Sequence, residues 1–155
     1  MKIRQGFVSN SSSSSYIIKI NENKCQFCGR SSPSIVDEIK KQNHYETQIE
    51  YDSKESILGD IECNIKIARK NIEYYTSMEP NAIPHENRGY NVCAGELLNY
   101  ECESLRMYES EYNRISALEG EIYGISIGYH DEHIQAIFDS GVKDGSIEVI
   151  KDYCL

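Results

Sequence analysis

No apolar stretch in these 155 residues approaches the roughly 20 that a membrane-spanning helix needs, so the sequence carries no helical membrane anchor. The opening Met1-Lys2-Ile3-Arg4-Gln5-Gly6-Phe7-Val8 is basic but lacks the apolar core of roughly 7 to 15 residues of a secretory signal, and the expected location is cytoplasmic. Proline is scarce, at 3 residues, and glycine is not enriched, at 10. With 39% apolar and 26% charged residues, that separates the chain from disordered and collagen-like sequences. Basic residues are the scarcer charge: 16 Lys and Arg face 25 Asp and Glu, a net of -9 that disfavours binding to a phosphate backbone. No internal repeat is visible, and the length suits one domain.

What is present is unevenly placed. Residues 1–30 hold Lys2, Arg4, Lys19, Lys24 and Arg30 against Glu22 alone. Residues 96–121 hold seven glutamates, among them Glu101, Glu109 and Glu111, against Arg106 and Arg114. That layout suits docking of a protein partner on the acidic segment, with Glu101, Glu109 and Glu111 as contact residues; a solvated helix face is the plainer reading.

The hydrophobic pattern predicts an α+β fold. Strands are expected near 16–20, 47–51, 122–129 and 146–150, from β-rich or alternating residues. A short helix is expected near 33–42, where Ser32 and Pro33 precede Ile35, Val36 and Ile39. Two long helices follow. The first, near 53–77, opens on a capping pattern of Asp52 and Glu55 and keeps Leu58, Ile61, Ile65, Ala68, Ile72 and Tyr75 on one stripe. The second, near 95–118, does the same with Leu98, Cys102, Leu105, Tyr108, Tyr112 and Ile115. Residues 131–138 fit either a short helix or a returning strand. The expected architecture is a small, mostly antiparallel sheet packed against two long antiparallel helices, in one domain over 1–155. Residues 1–30 form a Ser-rich and zinc-knuckle-like segment, and 31–155 the α+β body. Alternating Gly124, Ser126 and Gly128 leave one side of a strand nearly bare, which permits close approach by another segment.

Six cysteines in a cytoplasmic chain read first as metal ligands or buried thiols. Cys25-Gln26-Phe27-Cys28-Gly29 has the shape of a zinc knuckle, and His130 with His133 is the best-spaced second pair of ligands for a structural zinc ion. Cys93 with Cys102 is the rival pair; two unmetallated thiols or a redox Cys-x-x-Cys are the other readings of the knuckle. His130-Asp131-Glu132-His133 also permits a small metal-dependent hydrolase, although it matches neither His-Glu-x-x-His nor the deaminase pattern. Gly124-Ile125-Ser126-Ile127-Gly128 fits the nucleophile-elbow string but continues as a strand, which removes the elbow. Ser9, Asn10, Ser11, Ser12, Ser13, Ser14 and Ser15, flanked by Lys2, Arg4 and Lys19, offer hydroxyls and amides to an anion, so a nucleotide-binding module is a further alternative, without the glycines and lysine of a P-loop.

Gly6-Phe7-Val8-Ser9-Asn10, the five serines Ser11 to Ser15 and Tyr16 together resemble an amino-terminal motif of many uncharacterised proteins of bacteriophages and of bacteria carrying phage-derived genes. The resemblance covers about a tenth of the chain and departs from the motif in having Tyr16 where phenylalanine is expected. It implies a phage or mobile-element origin and a portable tag, with the residues after about 20 left to the specific task. The leading expectation is a non-enzymatic accessory protein, with a structural zinc knuckle, that binds a host protein in the bacterial cytoplasm as a host-modulation or anti-defence factor.

Overall fold

The computed structural model describes residues 13–21, 34–42, 46–84 and 92–152. The element order is β1 (Ser13–Ile20), α1 (Ile35–Lys41), β2 (Gln48–Tyr51), α2 (Lys54–Thr76), α3 (Ala94–Ser116), β3 (Glu121–Gly128), α4 (Glu132–Asp144) and β4 (Ile147–Asp152). The fold is α+β, with four helices and one antiparallel sheet among the described residues. Its contacts group into two compact units, one over Leu58–Leu118 and one formed by the described residues of Arg4–Ile57 and Glu119–Leu155.

In the sheet unit the strands lie in the order β2-β3-β1-β4, every neighbouring pair antiparallel. Strand side chains alternate between faces. Ile18 of β1 and Ile125 and Ile127 of β3 therefore reach one face, where they join Ile35, Val36 and Ile39 of α1, Ile134 and Phe138 of α4, and Ile147 of β4 in a single buried cluster. The helices that close this core are thus the two short ones. On the other face stand Ser13, Ser15 and Ile17, paired with Gly128, Ser126 and Gly124, and the three serines there are buried. The bare side of β3 is used for close approach: a Cβ on Gly128 would lie 2.8 Å from Glu46 Cβ, and the Gly128 N–H donates to Thr47 Oγ1 at 3.0 Å.

Residues 131–138, left open between helix and strand, are the first part of α4. Asp131 caps it, its carboxylate accepting from the Ile134 N–H at 3.2 Å, and Gly145 in the left-handed region ends it. The start of α2 falls one residue later than the Asp52–Glu55 pattern implies. Ser53 and Ser56 make the reciprocal bonds instead, the Ser56 N–H donating to Ser53 Oγ at 3.2 Å and the Ser53 N–H to Ser56 Oγ at 3.3 Å. A hydroxyl on each residue satisfies both amides, which leaves no need for the longer acidic pair.

In the second unit α2 and α3 pack together as an antiparallel hairpin. The connection supplies carbonyls to the opening amides of α3: Ala94 donates to Ala82 O at 2.8 Å and Gly95 to Pro80 O at 2.9 Å. Ile61 and Ala68 of the expected α2 stripe and Ile115 of the α3 stripe are buried. Among the described residues, no helix is long and apolar enough to cross a membrane.

Candidate functional site

The helical hairpin contains the acidic residues expected to dock a partner, and it places them differently from one another. Glu101 is only 5% exposed, and its Oε1 accepts from Asn71 Nδ2 at 3.0 Å. This corrects the expectation of Glu101 as a contact residue, because a buried carboxylate is held by its partner on the neighbouring helix and is not offered to another molecule. Glu109 accepts from Arg69 Nη2 at 2.8 Å, an ion pair that ties α3 to α2. Tyr112 donates to Glu62 Oε1 at 3.0 Å on the same two helices, and that bond holds the Tyr112 hydroxyl above its ordinary pKa. Glu111 lies on α3 and is partly buried.

Arg69 follows the buried Ala68 by one position, and Glu109 follows the half-buried Tyr108 by one. Their contact shows that a one-residue step in the same direction from the two packed stripes leads to the same flank of the hairpin, as antiparallel geometry requires. Ile67 precedes Ala68, Met107 precedes Tyr108, Tyr74 precedes the half-buried Tyr75, and Tyr100 precedes the buried Glu101. These four therefore share the opposite flank. They are exposed large apolar side chains, Met107 at 55% and the other three at 42 to 46%. One flank of the hairpin is thus held by polar links, and the other presents a patch two turns long on each helix. The sequence carried the signal, since Ile67 with Tyr74 and Tyr100 with Met107 are apolar pairs seven apart that lie off the core stripes.

The expected metal ligands are only partly within the described residues. Cys25 and Cys28 lie outside them. His130 is exposed in the turn after β3, and His133 is exposed in the first turn of α4, its Nε2 3.9 Å from Glu38 Oε2. Glu38 also accepts from Lys41 Nζ at 2.6 Å, and that bond holds its carboxyl below the ordinary value. Among the described residues, no three His, Cys, Asp or Glu side chains gather around one point suited to a metal ion. Cys93 does different work: its side chain and Glu96 form the capping box that opens α3, with the Cys93 N–H donating to Glu96 Oε2 at 3.2 Å.

Of the serine run, Ser9, Asn10, Ser11 and Ser12 lie outside the described residues, and Ser13, Ser14 and Ser15 form the start of β1. Ser13 and Ser15 are buried, which corrects their expected place in an open anion-binding loop. The Ser15 hydroxyl donates to Glu50 Oε1 at 3.5 Å; burial lifts the Glu50 carboxyl to about 7, and the serine bond offsets that only in part.

The sheet unit also holds a cleft of 880 Å³ between α1, α4 and the sheet. Tyr123, which lines it, donates to Glu121 Oε2 at 3.5 Å. Burial raises the pKa of that phenol first, and the negative charges of Glu121, Asp37 and Asp52 raise it further. No family model matches the chain, and neither a curated protein nor a solved structure matches it.

Proposed function

We propose that this chain is a non-enzymatic binding protein whose α2–α3 hairpin docks a host protein, as an accessory factor of phage origin. The observation that supports this reading is the shared flank of Ile67, Tyr74, Tyr100 and Met107. Large apolar and aromatic side chains left together at a surface gain most of their binding energy when a partner removes them from water. The flank replaces the acidic face as the point of contact, since Glu101 is buried and Glu109 is engaged with Arg69. Carboxylates around the hairpin then serve to select the partner and to speed its approach.

The test is capture from a bacterial lysate by the tagged chain and by two variants. Ile67→Asp with Met107→Asp places charge on the apolar flank and abolishes capture while the melting temperature stays close to that of the parent. Glu109→Lys disturbs only the opposite flank and leaves capture intact. Loss of capture in Glu109→Lys together with retention in the double variant would reverse the assignment. A structural zinc ion on Cys25 and Cys28 belongs to the same proposal and is read separately, as metal content by intact-mass measurement.

A further inference from the structure

The cleft of the sheet unit is independent of the hairpin flank and has a chemistry of its own. Its 880 Å³ falls within the range of roughly 300–1,000 Å³ typical of ligand sites. Ile20, Ile35, Ile137 and Ile147 give it an aliphatic lining continuous with the buried core cluster. Among the described residues that line it, Asp37 on α1, Glu121 on β3 and Asp144 at the end of α4 place carboxylates on three separate elements, against the ammonium of Lys40 and the imidazole of His133. Two of these carboxylates act on the same phenol, because Glu121 and Asp37 both raise the pKa of Tyr123. Asp144 stays ionised readily, its carboxyl held below the ordinary value by the Ser146 hydroxyl and N–H.

We propose that this cleft binds a basic peptide segment, with an aliphatic side chain seated among the isoleucines and lysine or arginine side chains at Asp37, Glu121 and Asp144. The charge imbalance selects a cationic ligand over an anionic one. The aliphatic lining selects a ligand that carries branched apolar side chains beside its cations, which a peptide does and a polyamine, with only linear methylene segments, does not. Carboxylates on three elements suit cations spaced along a chain rather than one point charge.

The probe is a short fluorescent peptide of alternating lysine and leucine, titrated by anisotropy against the full chain. The parent binds it, and Asp37→Asn with Glu121→Gln weakens binding about tenfold or more. Both positions are exposed, so the substitutions leave the melting temperature unchanged. Ala136→Trp, at an exposed position lining the cleft, fills it and abolishes binding with every carboxylate still in place. A lysine–serine peptide of equal charge binds at least tenfold more weakly than the lysine–leucine peptide. Equal binding by parent and both variants would show general attraction to an acidic protein and overturn the proposal. Equal affinity for the lysine–serine peptide, or full competition by spermine at the same concentration, would overturn it in favour of a plain cation site. Ile67→Asp with Met107→Asp leaves the peptide titration unchanged, so failure of the hairpin reading and failure of the cleft reading are separable.

Discussion

The sheet unit and the helical hairpin solve the same problem with different materials. Among the described residues, nine buried apolar side chains from three strands and two helices interlock in the sheet unit, almost all of them isoleucine or valine. The hairpin buries Ile61, Ala68, Ala94 and Ile115 together with a carboxylate, Glu101, and a hydroxyl, Ser104. It joins its helices through Arg69–Glu109, Asn71–Glu101 and Tyr112–Glu62. Two helices have only one mutual face, so the hairpin cannot enclose all its apolar residues, and Ile67, Tyr74, Tyr100 and Met107 stay outside. A unit fixed by dry packing can support a shaped cleft. A unit joined by a buried Asn71–Glu101 bond and by the Arg69–Glu109 pair on one flank keeps apolar surface for a partner on the other.

The largest effect expected from this contrast is in the sheet core. Ile125 is fully buried, and Ile125→Ala removes roughly 2–5 kcal/mol from the sheet unit, read as faster hydrogen exchange in β1 and β3 and a lower denaturant midpoint. Next comes Asn71→Ala, which leaves the buried Glu101 carboxylate without its Asn71 donor and costs the hairpin about 1–3 kcal/mol; adding Glu101→Leu recovers most of that loss. A cost for Asn71→Ala greater than that of Ile125→Ala would break the contrast between the two units.

A third expectation concerns pH. Glu50 titrates at about 7 in the folded chain against an ordinary 4.5, so the folded state holds its proton more tightly than the unfolded chain. Its contribution to stability is complete below about 4.5 and is lost as pH rises through about 7. Glu50→Gln therefore flattens the pH dependence of the melting temperature over that window and raises the melting temperature at pH 8, with little change at pH 4. The smallest effect belongs to the exposed pair. Arg69→Ala costs at most about 1 kcal/mol, less in high salt, because both side chains remain largely solvated.

Much of the fold is legible in the residues because period and capping are local properties. The stripe from Leu58 to Tyr75 and the alternation of Tyr123, Ile125 and Ile127 locate α2 and β3 to within a residue or two. The beginning of β1 is not legible, since serine has little preference for strands; Ser13 and Ser15 extend because Gly128 and Ser126 pair with them from far along the chain. The length of α4 is hidden for a similar reason. Gly141 weakens a helix on its own, yet it is required where a Cβ would come within 2.5 Å of Ile147 Cδ1. Glu101 reads as one more exposed glutamate until Asn71, thirty positions earlier, is seen to hold it. The apolar flank is legible in the pairs 67 with 74 and 100 with 107, which the density of acidic residues on α3 obscures.

Site-specific photo-crosslinking tests the assignment of the hairpin flank most directly. A benzophenone side chain is placed in turn at Met107 and at Glu109 in otherwise identical chains, each irradiated in a bacterial lysate. A discrete covalent adduct formed from position 107 and absent from position 109 is the predicted result. An adduct from position 109 with none from position 107 would contradict it.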